Sequence, residues 1–477
     1  MVWIWIAVAL AALLTVLIIR TVRFRPGDVY TGNTDSVTFD RDRAVDSLAK
    51  LVRCKTVSRE THEEEDEAEF SNLVGMLPEL YPLVSQNCSL LKFEDRGLLY
   101  CWKGKKQGEP AILMAHYDVV PVEEENWTHP AFDAEIVDDI MWGRGTLDTK
   151  ITFNGILSAA EALMEQGFQP EYDVYFAFSG GEEVNGKGAE HIVAWFKRQS
   201  ITPAMVLDEG GAVVKNVFPG VKEPCGLIGI AEKGMLNLEY TVSSDGGHAS
   251  APKPHTPVGE LSAACCAVEN HPFPSHFTKP VLEMFDTLGR HSTFLYRMIF
   301  ANLWLFKGVL SLICKKQGGE LNALIRTTVA FTQTSGSQAP NVIPPKATMV
   351  SNVRLNPMDS VDSAVKDIKR KIRNKNVNLQ VFNHHEPSPI SRTDVQGWFT
   401  VRNAVANTWK GCLVSPYLMV QCSDSRHYRD LSDRVYRFSA CDLTAEERHS
   451  IHGNDEHVRL ETVCKAVEFF IRVMREC

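Results

Sequence analysis

Glu182 and Glu183 stand side by side in the stretch "VYFAFSGGEEVNGKGA", residues 174–189, directly after an apolar run and two glycines. Adjacent carboxylates at the tip of a buried strand have two readings. One is a solvated loop; the other is a site where one carboxylate binds a metal ion and its neighbour handles a proton. Two other runs end in the same manner. "PAILMAHYDVV" carries apolar residues from Ala111 to Ala115 and then His116 and Asp118, and "AMVLDEGG" ends at Asp208 and Glu209. "WGRGTLDTK" delivers Asp148 after a glycine turn, and "SIHGNDEHV" places His452 in a polar loop before a final helix.

The residue types suit one chemistry. Zinc takes imidazole nitrogen and carboxylate oxygen, and a catalytic zinc keeps one position open. Two such ions need a bridging carboxylate, and together they clamp an attacking water and a carbonyl oxygen. His116, Asp148, Glu183, Asp208 and His452 supply two histidines and three carboxylates, enough for a two-zinc site. Residues two apart on a strand point the same way, so Asp118 can hold the His116 ring from behind and fix its tautomer. Taken singly, each residue has an ordinary role. His116 would be a strand-end histidine, the glutamate pair a charged loop, and Asp148 and Asp208 helix caps. Only their joint order and context favour the metal.

The elements that position these groups are read from patterning. From about residue 40 the chain alternates short apolar runs with helix-like segments, as an α/β layer with a mainly parallel sheet does. Sites in open α/β sheets gather at the carboxyl ends of strands, so three strand ends carrying His, Asp and Glu converge. Residues 233–385 differ: strands "LNLEYTV", "RTTVAFTQTS" and "ATMVSNVRLNP" alternate with helical stretches and a glycine-rich turn, before the linker-like "HHEPSPIS". The expected organisation is a catalytic domain in two parts, 40–232 and 386–477, interrupted by a smaller α+β unit at 233–385. That return would bring His452 beside the first cluster.

Composition sets outer bounds. The chain has 477 residues, 44% hydrophobic and 23% charged, which is ordinary for a globular protein with a large core. A formal net charge of -9 argues against non-specific nucleic-acid binding. The acidic run "EEEDEAE" at 63–69 reads as a solvated helix face. Residues 1–19 carry no charge, and Arg20 follows them. Such a segment is long enough to span a bilayer and reads as an uncleaved signal anchor, or as a cleaved signal peptide, within residues 1–20. Arg20, Arg23 and Arg25 favour a cytosolic flank, whereas the sequons at Asn87 and Asn126 are usable only in the lumen. The expected location is the secretory pathway, membrane-anchored or secreted. The twelve cysteines form no CxxC pair. A further apolar run, "FLYRMIFANLWLFKGVLSLIC" at 294–314, is broken by Arg297, Asn302 and Lys307. It is either a helix packed in the smaller domain or an amphipathic surface that meets a membrane or a fatty acyl chain.

Eight spaced motifs carry a family resemblance: "HYDVVP", "GRGTLDTK", "GGEEVNGKGA", "LDEGG", "GGHASAP", "NVIPPKATMVSNVRLNP", "SDSRHY" and "IHGNDE". In order and type they resemble the di-zinc amidohydrolases and peptidases of the aminoacylase-1, carnosinase and carboxypeptidase S family. The branch they resemble most holds carboxypeptidase S and the N-fatty-acyl-amino-acid synthase/hydrolases. The resemblance implies that Asp148 bridges two zinc ions, with His116 and Asp208 on one and Glu183 and His452 on the other. It implies Glu182 as general base and His248 as the histidine that polarises the scissile carbonyl. Asn341 and Arg354 then bind substrate, the arginine by its planar fork. It also implies a small-molecule substrate, and leaves open whether His248 serves its own subunit or a partner's in a homodimer. The chain departs from the family at "DTK" and at "VQCSDSRHY", where the family often has Gly-Gly-Thr-Asp and where Cys422 and Ser423 line the loop. Neither departure removes a ligand; the second bears on substrate preference.

Overall fold

Alternation decides the large sheet. In the strands Gly97–Trp102, Ala111–His116, Val174–Ser179 and Met205–Val214, odd and even residues enter different apolar clusters. Leu113, Phe176 and Leu207 face the helices Lys150–Glu165 and Leu460–Arg475, while Ile112, Tyr175 and Val206 face the helix Gly188–Arg198. A strand buried on both faces reads as a continuous apolar run, which is why these segments show no polar alternation. The computed structural model describes residues 1–27 and 35–477.

The sheet has eight strands in the order Cys88–Phe93, Gly97–Trp102, Val174–Ser179, Ala111–His116, Met205–Val214, Val435–Leu443, Cys225–Glu232 and Leu413–Met419. Its centre is parallel: the 111–116 strand pairs in parallel with both the 174–179 and 205–214 strands, and the latter with 435–443. Toward the edges the pairings include antiparallel ones, so the sheet as a whole is mixed. Residues from both ends of the chain build it. The final helix, Leu460–Arg475, buries Val463, Val467 and Phe470 and packs on Lys150–Glu165, where Gly155 lies against Phe470.

A second sheet of four antiparallel strands, in the order Thr328–Ser335, Lys346–Leu355, Gly234–Ser243 and Asn378–His385, starts one residue after the large sheet's Cys225–Glu232 strand. Leu236, Leu238, Tyr240 and Val242 alternate onto one face, where they meet the helices Pro257–Asn270 and Val361–Ile372. The other helices of this stretch behave differently. Lys279–Gly289, Phe294–Ala301 and Leu303–Gln317 contribute Val281, Phe285, Leu288, Phe300 and Cys314 to a cluster with Leu227, Leu413 and Leu418 of the large sheet. The expectation of a helix packed in the smaller domain at 294–314 is therefore corrected. Its inner side chains cover the large sheet's edge, because that edge offers the nearest uncovered apolar surface.

The acidic run also differs in part from a solvated face. Asp66 caps the helix Glu67–Leu80 by accepting from Ala68 N, and the buried Glu65 carboxylate holds Arg96 at 2.5 Å. The helix Val2–Arg23 has a mean hydropathy of 2.8 over its most apolar window, long and apolar enough to cross a membrane.

Candidate metal centre

His116 ends its strand with the ring 2% exposed. Its Nδ1 faces the Asp118 carbonyl at 3.0 Å and Asp118 Oδ1 at 3.3 Å. That places the Nε2 lone pair outward, where Asp148 Oδ1 lies at 3.0 Å and Glu209 Oε1 at 3.5 Å. The other oxygen of Asp148, Oδ2, lies 3.0 Å from His452 Nε2, and Glu183 Oε2 lies 3.2 Å from the same nitrogen. Asp148 thus divides its two oxygens between two histidines. This is the arrangement a bridging carboxylate has.

Asp118 does more than orient a ring. It is wholly buried, accepts from Ser58 Oγ at 2.6 Å, and receives the backbone N–H groups of Glu182 and Glu183 at 3.1 and 3.2 Å. One carboxylate therefore sets both the His116 tautomer and the position of the glutamate pair. Among its neighbours Glu182 stands apart from the Asp148–His452 group. It gathers with His116 and Glu209, and Arg426 Nη1 lies 3.7 Å from its carboxylate.

The loop carrying Asp148 is clamped by Glu456, which is fully buried. Its carboxylate accepts from the backbone of Gly145, Leu147 and Asp148 and from Arg144 Nη1 at 2.7 Å. Glu456 lies four residues beyond His452, so one short loop fixes both sides of the bridge. Sequence reasoning missed it. The signal was present, since an acidic residue closes "IHGNDE" and an arginine stands inside "GRG".

Asp208 sits apart from the other expected ligands. Its Oδ2 accepts from Ser425 N at 2.8 Å, while Glu209 Oε1 lies 3.5 Å from His116 Nε2 and groups with His116 and Glu182. The cause is a local irregularity. Strand Val435–Leu443 pairs Arg437 with Asp208 and then Phe438 with Gly211, leaving Glu209 and Gly210 as extra residues. A bulge re-aims a side chain. Gly210 permits it with φ at +145°, where a Cβ would meet Met419 Sδ at 2.5 Å. Alternation along "VLDEGG" favours neither carboxylate, so the bulge was not visible in the sequence.

The substrate-side expectations fall in two places. Arg354, on the smaller sheet, reaches the catalytic domain: Nε donates to Asn352 Oδ1 at 2.9 Å and Nη1 to Cys422 Sγ at 3.0 Å. His248 and Asn341 lie together on an exposed two-stranded ladder, where Ala249 N donates to the Asn341 carbonyl and the strand Gly247–His248 pairs with Val342–Ile343. Among the described residues no hydrogen bond or ion pair links them to the carboxylate cluster.

The charges show whether this set suits cations. Asp148, Glu182, Glu183 and Glu209 converge with two histidines, and Glu183 Oε1 is buried without a hydrogen-bond partner. Burial, reinforced by Asp148, pushes the Glu183 carboxyl up to about 7, and burial beside Asp424, Glu209 and Glu183 lifts Glu182 well above its usual range against the pull of His116. Contacts with Asp148 and Glu183 push His452 up to about 11. Buried carboxylates so arranged bind protons in place of a missing positive charge. Hard divalent cations are the natural occupants, since each histidine nitrogen and the orphaned carboxylate oxygen offer lone pairs toward shared space.

Comparison with known proteins agrees. Residues 112–476 match the model of peptidase family M20/M25/M40. An N-fatty-acyl-amino acid synthase/hydrolase of Xenopus tropicalis is 35% identical over 98% of this chain and 93% of its own length. A probable carboxypeptidase S-like protein of Dictyostelium discoideum is 33% identical over 98% and 92%. The fold is that of an M20 metallo-carboxypeptidase from Sulfolobus solfataricus, with TM-score 0.67 at 16% identity, covering 91% of this chain and 98% of that one. A dinuclear metal-binding M20 peptidase of Bacillus subtilis is also similar, with TM-score 0.56 at 13% identity over 91% and 97%. The chain belongs to peptidase family M20/M25/M40, a metal-dependent family, and is a metallohydrolase acting on amide bonds.

Proposed function

We propose that the substrate is an N-acyl amino acid, with N-fatty-acyl amino acids preferred, and that the metal is zinc, two ions per subunit. The observation that carries the substrate class is Arg354, half-buried where the smaller sheet meets the Cys422 loop. Its fork is suited to a free carboxylate. His116, Asp148 and Glu209 hold one ion, and Asp148, Glu183 and His452 the other. When bound, the pair polarises a carbonyl oxygen and lowers the pKa of water.

The remaining work belongs to side chains. Glu182 takes a proton from the attacking water and passes it to the leaving amide nitrogen. Arg426, 3.7 Å away, keeps that carboxylate turned toward the cluster. Asp118 holds His116 in the tautomer that offers Nε2. His248 polarises the scissile carbonyl, and because it stands on an exposed two-stranded ladder apart from the cluster, it acts across a homodimer. The apolar helix Val2–Arg23 anchors the enzyme in the secretory pathway with the catalytic domain in the lumen or outside the cell.

A carboxypeptidase acting on short peptides is the second reading, favoured by the carboxypeptidase S-like relative at nearly equal identity. Both substrates end in a carboxylate, so Arg354 does not separate them. Hydrolysis of a long-chain acyl amino acid, compared with a dipeptide sharing its C-terminal residue, does. Faster cleavage that grows with acyl length supports the lipid amide. Indifference to chain length with good dipeptide cleavage rejects it.

A further inference from the structure

The helices Phe294–Ala301 and Leu303–Gln317 meet at 110° and turn apolar side chains outward. Phe294, Trp304, Val309 and Ile313 are exposed, and Leu295 and Leu312 are 64% and 67% exposed. Solitary surface hydrophobics are common, but a contiguous patch of this kind marks a contact. The polar residue at the bend explains where that contact lies. Asn302 is fully buried; its amide nitrogen donates to the Leu17 carbonyl at 3.3 Å and Thr21 Oγ1 at 3.4 Å, and its Oδ1 accepts from Arg20 Nε at 3.1 Å. Arg20 Nη2 also donates to the Ala301 carbonyl at 3.1 Å. The elbow is thus locked to the base of the apolar helix Val2–Arg23.

We propose that this elbow is a second membrane contact, lying in the headgroup plane of the bilayer that receives the helix Val2–Arg23. Three observations select lipid over a protein partner. The N-terminal helix exposes consecutive residues from Val2 to Ile6, so every side of it needs an apolar medium, and the elbow's outer surface continues it. The two elbow helices have 8 and 15 residues. At the helical rise they reach about 12 and 22 Å, short of the roughly 30 Å needed to cross, so they lie along the interface. Residues 294–317 contain Arg297, Lys307, Lys315 and Lys316 and no acidic residue, in a chain of net charge -9. Basic residues rimming an apolar helix face fit anionic headgroups.

The placement bears on access to the site. Arg326 Nη2 donates to the Ser311 carbonyl on the second elbow helix, and Lys233 Nζ donates to the Arg326 carbonyl. Cys422 Sγ in turn contacts the Lys233 carbonyl and Arg354. The elbow therefore sits a few side chains from the proposed carboxylate-binding arginine. The membrane contact itself does not depend on which amide is cleaved.

The test uses the full chain in vesicles of phosphatidylcholine and phosphatidylserine, with photoreactive benzoylphenylalanine in place of Leu312 or Val309. Trp5 serves as the buried-in-lipid control and Phe382, exposed on the smaller sheet, as the water-facing one. Lipid adducts at Leu312 and Val309 at least about fivefold above Phe382 are expected for an interfacial helix. Cross-linked pairs of chains, or no adduct at either position while Trp5 yields lipid adducts, overturn the proposal.

Discussion

The carboxylate cluster and the elbow at 294–317 break the usual burial rule in opposite directions. In the first, Glu182, Glu183 and Glu209 bring carboxyl groups into the interior, where burial pushes each of them up. In the second, Leu295, Trp304 and Leu312 leave apolar surface outside. Each is costly in an isolated, hydrated chain, and each becomes favourable with a partner of the right kind. For the cluster the proposed partner is a pair of divalent cations; for the elbow it is the proposed lipid surface. The lesson is that rule-breaking groups identify what the protein binds by the chemistry they lack. The elbow's outward side chains should add little to folding, whereas the cluster's supports should add much.

Removing the cations breaks the comparison at its strongest point. Chelation should lower amide hydrolysis at least about 10³-fold, the several kcal/mol that metal polarisation supplies, and restored zinc should recover it. Hydrolysis that persists in demonstrably metal-free protein ends the metal account.

The next effect is on stability. Glu456→Ala leaves Arg144, only 2% exposed, without its carboxylate and frees the loop that carries Asp148. A loss of about 3–5 kcal/mol in denaturant unfolding is expected for one partner of a buried pair. A loss below 1 kcal/mol would show that the loop holds itself.

Glu209→Ala against Asp208→Asn sharpens the ligand assignment. Zinc affinity should fall about 100-fold or more in the first and clearly less in the second, whose carboxylate accepts from Ser425 N. The reverse ranking would restore the ligand expected from motif order. At the far end of the scale, Leu312→Ser should change folding stability by no more than about 0.5 kcal/mol, as surface changes do. A larger loss would mean the elbow is packed within the protein.

What was legible in the sequence follows from the same physics. Continuous apolar runs ending in His116, Glu182 and Asp208 announced buried strands whose ends meet, because a strand covered on both faces cannot hide its composition. The mixed outer pairings left no such mark, since direction is set by connections. Glu209 was missed because a bulge is decided by the partner strand, here Arg437 and Phe438, more than two hundred residues away. Glu456 was missed because most of its hydrogen bonds come from backbone N–H groups, and only Arg144 inside "GRG" left a trace of its work in the sequence. The packing at 294–314 was not legible for a related reason: an apolar face shows that it is covered, and not by which sheet.

The central claim is that the paired glutamates divide their labour, Glu183 holding metal and Glu182 moving the proton. Metal content and turnover measured together on Glu182→Gln and Glu183→Gln test it most directly. The account predicts that Glu182→Gln retains close to two zinc ions per chain while turnover falls roughly 10²- to 10⁴-fold, the usual cost of losing a general base. It predicts that Glu183→Gln loses metal. Equal metal loss in both variants, or near-normal turnover in Glu182→Gln with its metals in place, would contradict it.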